Sequence, residues 1–192
     1  MKKRIFALAV VVICLSILAS TTLAYFTDIG TARNVITSGG IGIEVVEQQL
    51  VDNTLQPYPS QPIPVMPAAT VSKIVSVRNS KQAAWIRMGY TVTVFDANGK
   101  EMALPASDLN KVILIAPNSD NWTLKDGWWY YTDAVKAGDM TKPLFEEVVF
   151  SGPDMGNKYQ NCTVVIDVTA QAVQYANNGT TVLDAVGWPE AE

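Results

Sequence analysis

Hydrophobic and polar residues alternate with a period of two along much of this chain. Between Ala83 and Phe95, Trp85, Arg87, Gly89, Thr91 and Thr93 would share one face, and Ile86, Met88, Tyr90, Val92 and Val94 the other. Successive side chains of a strand point to opposite faces, so this pattern predicts a half-buried β-strand. Its β-branched and aromatic residues fit the same reading. Asn161 to Ala176 predicts a second long strand, with Val164, Ile166, Val168, Ala170 and Ala172 set against Thr163, Val165, Asp167, Thr169 and Gln171. Thr70 to Asn79 mixes Val71, Ile74 or Val75, and Val77 with Ser72, Lys73, Ser76 and Arg78. Ile41 to Val51 begins with Ile41, Ile43 and Val45 on one side and Gly42 and Glu44 on the other. Shorter strands are expected at Val112 to Ile115, closed by Pro117, and at Leu144 to Phe150. In the latter, Glu146 and Glu147 must face out or lie at an edge.

Turn chemistry separates these runs. Asp126-Gly127 divides Trp122 to Thr132 into two β-rich halves, a hairpin signature. Asp96-Ala97-Asn98-Gly99 supplies a tight turn, since Asn-Gly accepts positive φ. Residues 52–69 hold Pro57, Pro59, Pro62, Pro64 and Pro67. Proline fixes φ and removes a ladder donor, which predicts an extended surface connection. A polyproline recognition motif is the sharper alternative, and a linker between strands the simpler one. Residues 25–40 (YFTDIGTARNVITSGG) read as an extended segment and a turn, with no evident partner in the chain. Thr180 to Trp188 has room for one or two helical turns before Pro189. Seven or eight strands and almost no helix predict an all-β fold, an antiparallel β-sandwich over residues 41–192.

The first 24 residues break the alternation. Lys2, Lys3 and Arg4 precede an apolar run from Ile5 to Ala19, and Ser20-Thr21-Thr22-Leu23-Ala24 follows. A basic head, an apolar middle and a small-residue end make a secretory signal peptide. Thr22 and Ala24 suit the −3 and −1 pockets of a signal peptidase, so cleavage is expected between Ala24 and Tyr25. The competing reading is an uncleaved anchor, because Ile5 to Ala24 approaches the roughly 20 residues a spanning helix needs. The thinning of the run into Ser and Thr weighs against it. Ile13 ahead of Cys14 weighs against a lipid attachment site, which wants a small residue there.

Cleavage changes the charge. Removing Lys2, Lys3 and Arg4 from 14 basic residues leaves 11 against 18 acidic ones, a net charge of −7. Such a chain suits solubility outside the cell and disfavours nucleic acid, which needs a basic face. Contact with a membrane is then expected only through the uncleaved signal. Cys14 leaves with the signal, so Cys162 is alone and an internal disulfide is excluded. Its apolar strand context predicts a buried, inert thiol rather than a bridge to another chain. There is no histidine, which removes the commonest general base and every Ser-His or Cys-His nucleophile pair.

Candidate chemistry is thin. Trp128, Trp129, Tyr130 and Tyr131 are candidate ligand aromatics for stacking a sugar, but alternation sends Trp128 and Tyr130 one way and Trp129 and Tyr131 the other. Packing is their simpler role. Asp96 to Glu101 lacks calcium-loop spacing, because its glycine falls too early. Glu146 and Glu147, as strand neighbours, point apart and form no dyad. Three N-glycosylation triplets begin at Asn121, Asn161 and Asn178. No catalytic residue, cofactor or metal ligand is expected.

The junction Ala24-Tyr25-Phe26-Thr27-Asp28, with Asn34-Val35-Ile36-Thr37-Ser38-Gly39 and the strand Gly40-Ile41-Gly42-Ile43-Glu44, resembles the TasA/camelysin group of biofilm matrix proteins. These are secreted by Gram-positive bacteria and processed by the signal peptidase SipW. Val71 to Asn79, Ala84 to Arg87, Asp126 to Tyr131 and Thr141 to Phe145 look like the group's BsaA-type fibre proteins. The resemblance implies a jelly-roll-like sandwich that assembles into extracellular fibres, alone or with related matrix subunits. It also implies donor-strand complementation, in which the N-terminal segment of one subunit completes the sheet of the next. Tyr25, Phe26, Thr27, Asp28, Ile29 and Val35 would then lie on the donor. The metalloprotease activity ascribed to camelysin is not carried over, because a chain without histidine lacks the His-Glu-x-x-His helix.

Overall fold

The computed structural model describes residues 27–37 and 40–189. The expected signal peptide, the Ala24-Tyr25 junction and Phe26 lie outside the described residues. Eleven strands and one short helix are described: β1 (Thr27–Thr37), β2 (Ile43–Val51), β3 (Thr54–Pro57), β4 (Ile63–Val65), β5 (Thr70–Asn79), β6 (Ala84–Phe95), α1 (Ala106–Val112), β7 (Ile113–Ile115), β8 (Trp122–Lys125), β9 (Trp128–Tyr131), β10 (Phe145–Phe150) and β11 (Cys162–Gln174). They form a six-stranded sheet ordered β4-β1-β11-β6-β9-β8 and a five-stranded sheet ordered β3-β2-β5-β10-β7. The chain is therefore all-β and sandwich-like.

The core lies between the sheets. Ile86, Met88 and Val94 of β6 and Val164, Ile166, Val168, Ala170 and Ala172 of β11 meet Val45, Val75, Val77, Phe145, Val148 and Phe150 from the other sheet. The alternation in β6 and β11 predicts these inward faces. The two strands pair antiparallel through twelve residues, from Thr163 opposite Phe95 to Gln174 opposite Ala84. The β8–β9 hairpin turns at Asp126 (φ 50°) and Gly127 (φ 81°), the left-handed pair that a two-residue hairpin loop requires. Cys162 is buried, and burial pushes its thiol pKa up, with a smaller contribution from Asp96.

Four expectations change. The proline-rich stretch carries β3, which pairs with β2 across a turn at Asp52 (φ 48°) and Asn53 (φ 60°), and β4, whose Val65 is buried. Proline is tolerated because both strands are at sheet edges. Val112 ends α1 instead of opening a strand. Pro105 caps the helix start, and Asp108 and Lys111 suit its two ends. Glu146 and Glu147 face out as expected, but instead of pointing apart both are exposed on the interior strand β10, because a register shift between Phe145 and Glu147 bulges it. The segment after Tyr25, expected to lack a partner in its own chain, is β1 and has two.

Candidate functional site

The candidate site is the slot that β1 fills. All eleven residues of β1 pair with β11, in register from Thr27 opposite Cys162 to Thr37 opposite Ala172. This pairing is parallel, and every other strand pairing among the described residues is antiparallel. On its other side β1 meets β4 only at Thr27, Asp28 and Ile29. Of the donor candidates, Thr27, Asp28, Ile29 and Val35 lie on β1, and Tyr25 and Phe26 lie outside the described residues. Val35 is exposed.

The chain leaves β1 at Thr37 and starts β2 in the opposite sheet at Ile43. The linking sequence is Ser38-Gly39-Gly40-Ile41-Gly42. Ile41 is buried, and a Cβ on Gly42 would come 2.7 Å from Ser80 Oγ, so the far end of the link is pinned to the body. Ser80 N–H also donates to the Gly42 carbonyl at 2.7 Å.

Across the sandwich, β2 lies against both β1 and β11. Its Glu47 is buried and accepts a hydrogen bond from the fully buried Lys73 ammonium at 2.7 Å. Lys73 Nζ also sits 3.9 Å from the centre of the Tyr58 ring. Tyr58 N–H donates to the Glu47 carbonyl at 3.0 Å, and the Tyr58 hydroxyl has no hydrogen-bond partner among the described residues. Burial, and secondarily the Glu47 charge, push the Tyr58 hydroxyl pKa well above its ordinary value. An alternating strand reads Glu47 and Lys73 as solvent-facing, so sequence alone missed them. The signal that would have found them is their opposite charge on two strands whose other alternate residues, Val45, Val75 and Val77, are core.

The four candidate ligand aromatics divide as alternation predicts. Tyr131 is buried in the main core, with Trp129 packed against it. Trp128 and Tyr130 join a second cluster on the outer face of the six-stranded sheet, with Trp85, Val173, Val182, Ala185 and Trp188. Trp128 lies on Gly89, where a Cβ would come 3.3 Å from its ring. The four rings form no shared platform.

Other candidates resolve into local structure. The Asp96 carboxylate accepts N–H bonds from Asn98 (2.8 Å) and Lys100 (3.0 Å), and these bonds hold its pKa down. It caps its own turn. The Asn178 side chain brackets Val186, donating to its carbonyl at 3.0 Å and accepting from its N–H at 2.9 Å. Among the described residues no three His, Cys, Asp or Glu side chains are grouped to hold a metal ion. No described helix is long and apolar enough to cross a membrane. The chain matches no protein-family model, no curated protein and no solved structure.

Proposed function

We propose that this chain is a secreted, non-enzymatic structural protein of a biofilm matrix or cell-surface fibre. Signal peptidase of the SipW type cuts between Ala24 and Tyr25, and the freed segment becomes a donor strand for the next subunit. In this reading the two sheets are a jelly roll, and the subunit's partners are copies of itself or related matrix subunits.

The observation that carries the proposal is the attachment of β1. It is a terminal strand, paired through its whole length with a strand remote in sequence, and joined to the body by a glycine-rich link. Backbone hydrogen bonds to β11 are the same whether β1 comes from its own chain or from a second copy. Exchange therefore leaves the bonding nearly unchanged, and link strain and concentration decide which state forms. Until cleavage the donor is tied to the membrane, so the peptidase is the switch.

Electron microscopy of two purified forms tests this. The form beginning at Tyr25 should make fibres, and the form beginning at Ser38 should make none. Equal fibres from both would remove β1 from the assembly.

A further inference from the structure

The outer face of the six-stranded sheet carries a second arrangement. After β11 the chain runs back over that face as a strap, residues 175–189. Val182 and Ala185 are buried against Trp85, Tyr130 and Val173. Trp85 Nε1 donates to the Asn178 carbonyl at 2.7 Å, and Tyr175 packs edge-on to Trp85 at 4.9 Å. Beneath the strap, the Arg87 guanidinium lies between two indoles, 4.5 Å from the Trp128 ring centre and 4.7 Å from that of Trp188.

The polar groups there are incompletely matched. Arg87 donates from Nε (2.9 Å) and Nη2 (2.6 Å) to Gln171 Oε1, from Nη1 to the Tyr130 hydroxyl (2.9 Å), and from Nη2 to the Pro189 carbonyl (3.3 Å). All of these acceptors are neutral, and no carboxylate lies within ion-pair distance of Arg87 among the described residues. Gln171 is fully buried, and its Nε2 finds no acceptor among the described residues. A buried unsatisfied donor is destabilising. An apolar residue at position 171 would close the strap without that cost. A cation with no carboxylate partner among the described residues, an idle amide donor and an indole face are the equipment of a binding site.

Trp188 and Pro189 indicate what fits it. The ring of Trp188 covers one face of the cation, and the Pro189 oxygen accepts from Nη2 at a long 3.3 Å. A ligand with a flat C–H face and a carboxylate supplies both contacts, and a carboxylate on guanidinium is the stronger, bidentate match. Its ring or hydroxyl oxygens would accept from Gln171 Nε2. We infer that Arg87, Gln171, Tyr130 and Trp128 form a binding site for a uronic-acid residue of an acidic polysaccharide, covered in the free protein by Trp188 and Pro189 of the strap. The net charge of −7 after cleavage opposes a long polyanion. The suitable probe is therefore a short one at physiological salt.

The experiment titrates the full mature chain and its Trp188→Ala variant with trigalacturonate, following tryptophan fluorescence and calorimetry. Maltotriose is the neutral control and Glu-Ala-Glu the acidic peptide control. Trp188→Ala should bind trigalacturonate about tenfold more tightly than the unmodified chain, and maltotriose not at all. Adding Arg87→Gln should abolish that binding. Absence of binding, a preference for the tripeptide, or binding that survives Arg87→Gln each overturns the inference. Near-UV circular dichroism checks the fold. Should Trp188→Ala unfold, Trp188→Ser, which also removes the indole cover, is titrated in its place and read the same way. Fibre formation by these variants is scored separately.

Discussion

The two ends of this molecule are fastened by different physics. At the N-terminal end β1 is held through its backbone, residue by residue, along the edge of β11. At the C-terminal end the strap is held through side chains, with Arg87 between two indoles and Trp85 on the Asn178 carbonyl. Backbone bonding is indifferent to which copy supplies the strand, because every residue has the same donor and acceptor. Side-chain fastening depends on particular groups meeting at particular distances. One end is therefore suited to exchange between subunits, and the other to closing over a site within a subunit.

The largest expected effect comes from breaking the first fastening. A chain beginning at Ser38 leaves β11 paired with β6 on one side and without its β1 neighbour along eleven residues on the other. It should lose fibre formation entirely, and a synthetic peptide covering residues 25–37 should bind it in trans. Electron microscopy and fluorescence anisotropy check the two parts. Next in size is the buried pair opposite β1. Glu47→Ala or Lys73→Ala breaks a buried ion pair and should cost about 3–5 kcal/mol in chemical denaturation.

Smaller effects sharpen the other side of the comparison. Trp188→Ala removes one cation–π partner and should cost about 1–2 kcal/mol, with faster amide exchange confined to the strap. Acid should do the same, more gently. The Asp184 carboxylate accepts bonds from Thr181 Oγ1 (2.8 Å) and Thr180 Oγ1 (3.3 Å), and these hold its pKa below the ordinary 3.8. A depressed folded pKa gives a contribution that is full above 3.8 and lost as pH falls through the folded value. Exchange at the strap amides should rise only in that acid window. Smallest of all, Leu124→Lys on the edge strand β8, where Leu124 is exposed, should change stability by no more than about 0.5 kcal/mol.

The legibility of the fold in the sequence follows the same division. The faces of β6 and β11 are readable because alternation is a local property and their burial is one-sided. The Asp126-Gly127 hairpin is readable because its turn needs residues that accept positive φ. The pairing of β1 with β11 is not, since it joins residues far apart in the chain and no local pattern sets that register. Nor are β3 and β4, whose prolines read as linker because nothing local marks a strand as an edge. Lys73 and Glu47 hide because each looks solvated until the other is placed beside it. Arg87 hides likewise among the residues of a well-predicted face, and only the fold brings Trp188 and Gln171 to it.

The central claim is that β1 crosses between subunits, and a cysteine trap tests it most directly. Asn34 and Thr169 are opposite one another in the β1–β11 register. Asn34→Cys with Thr169→Cys, in a Cys162→Ala background, should give fibres that oxidise to a ladder of covalent oligomers on a non-reducing gel. Fibres that dissolve entirely to monomers carrying an internal disulfide would show β1 held in its own subunit and contradict the account.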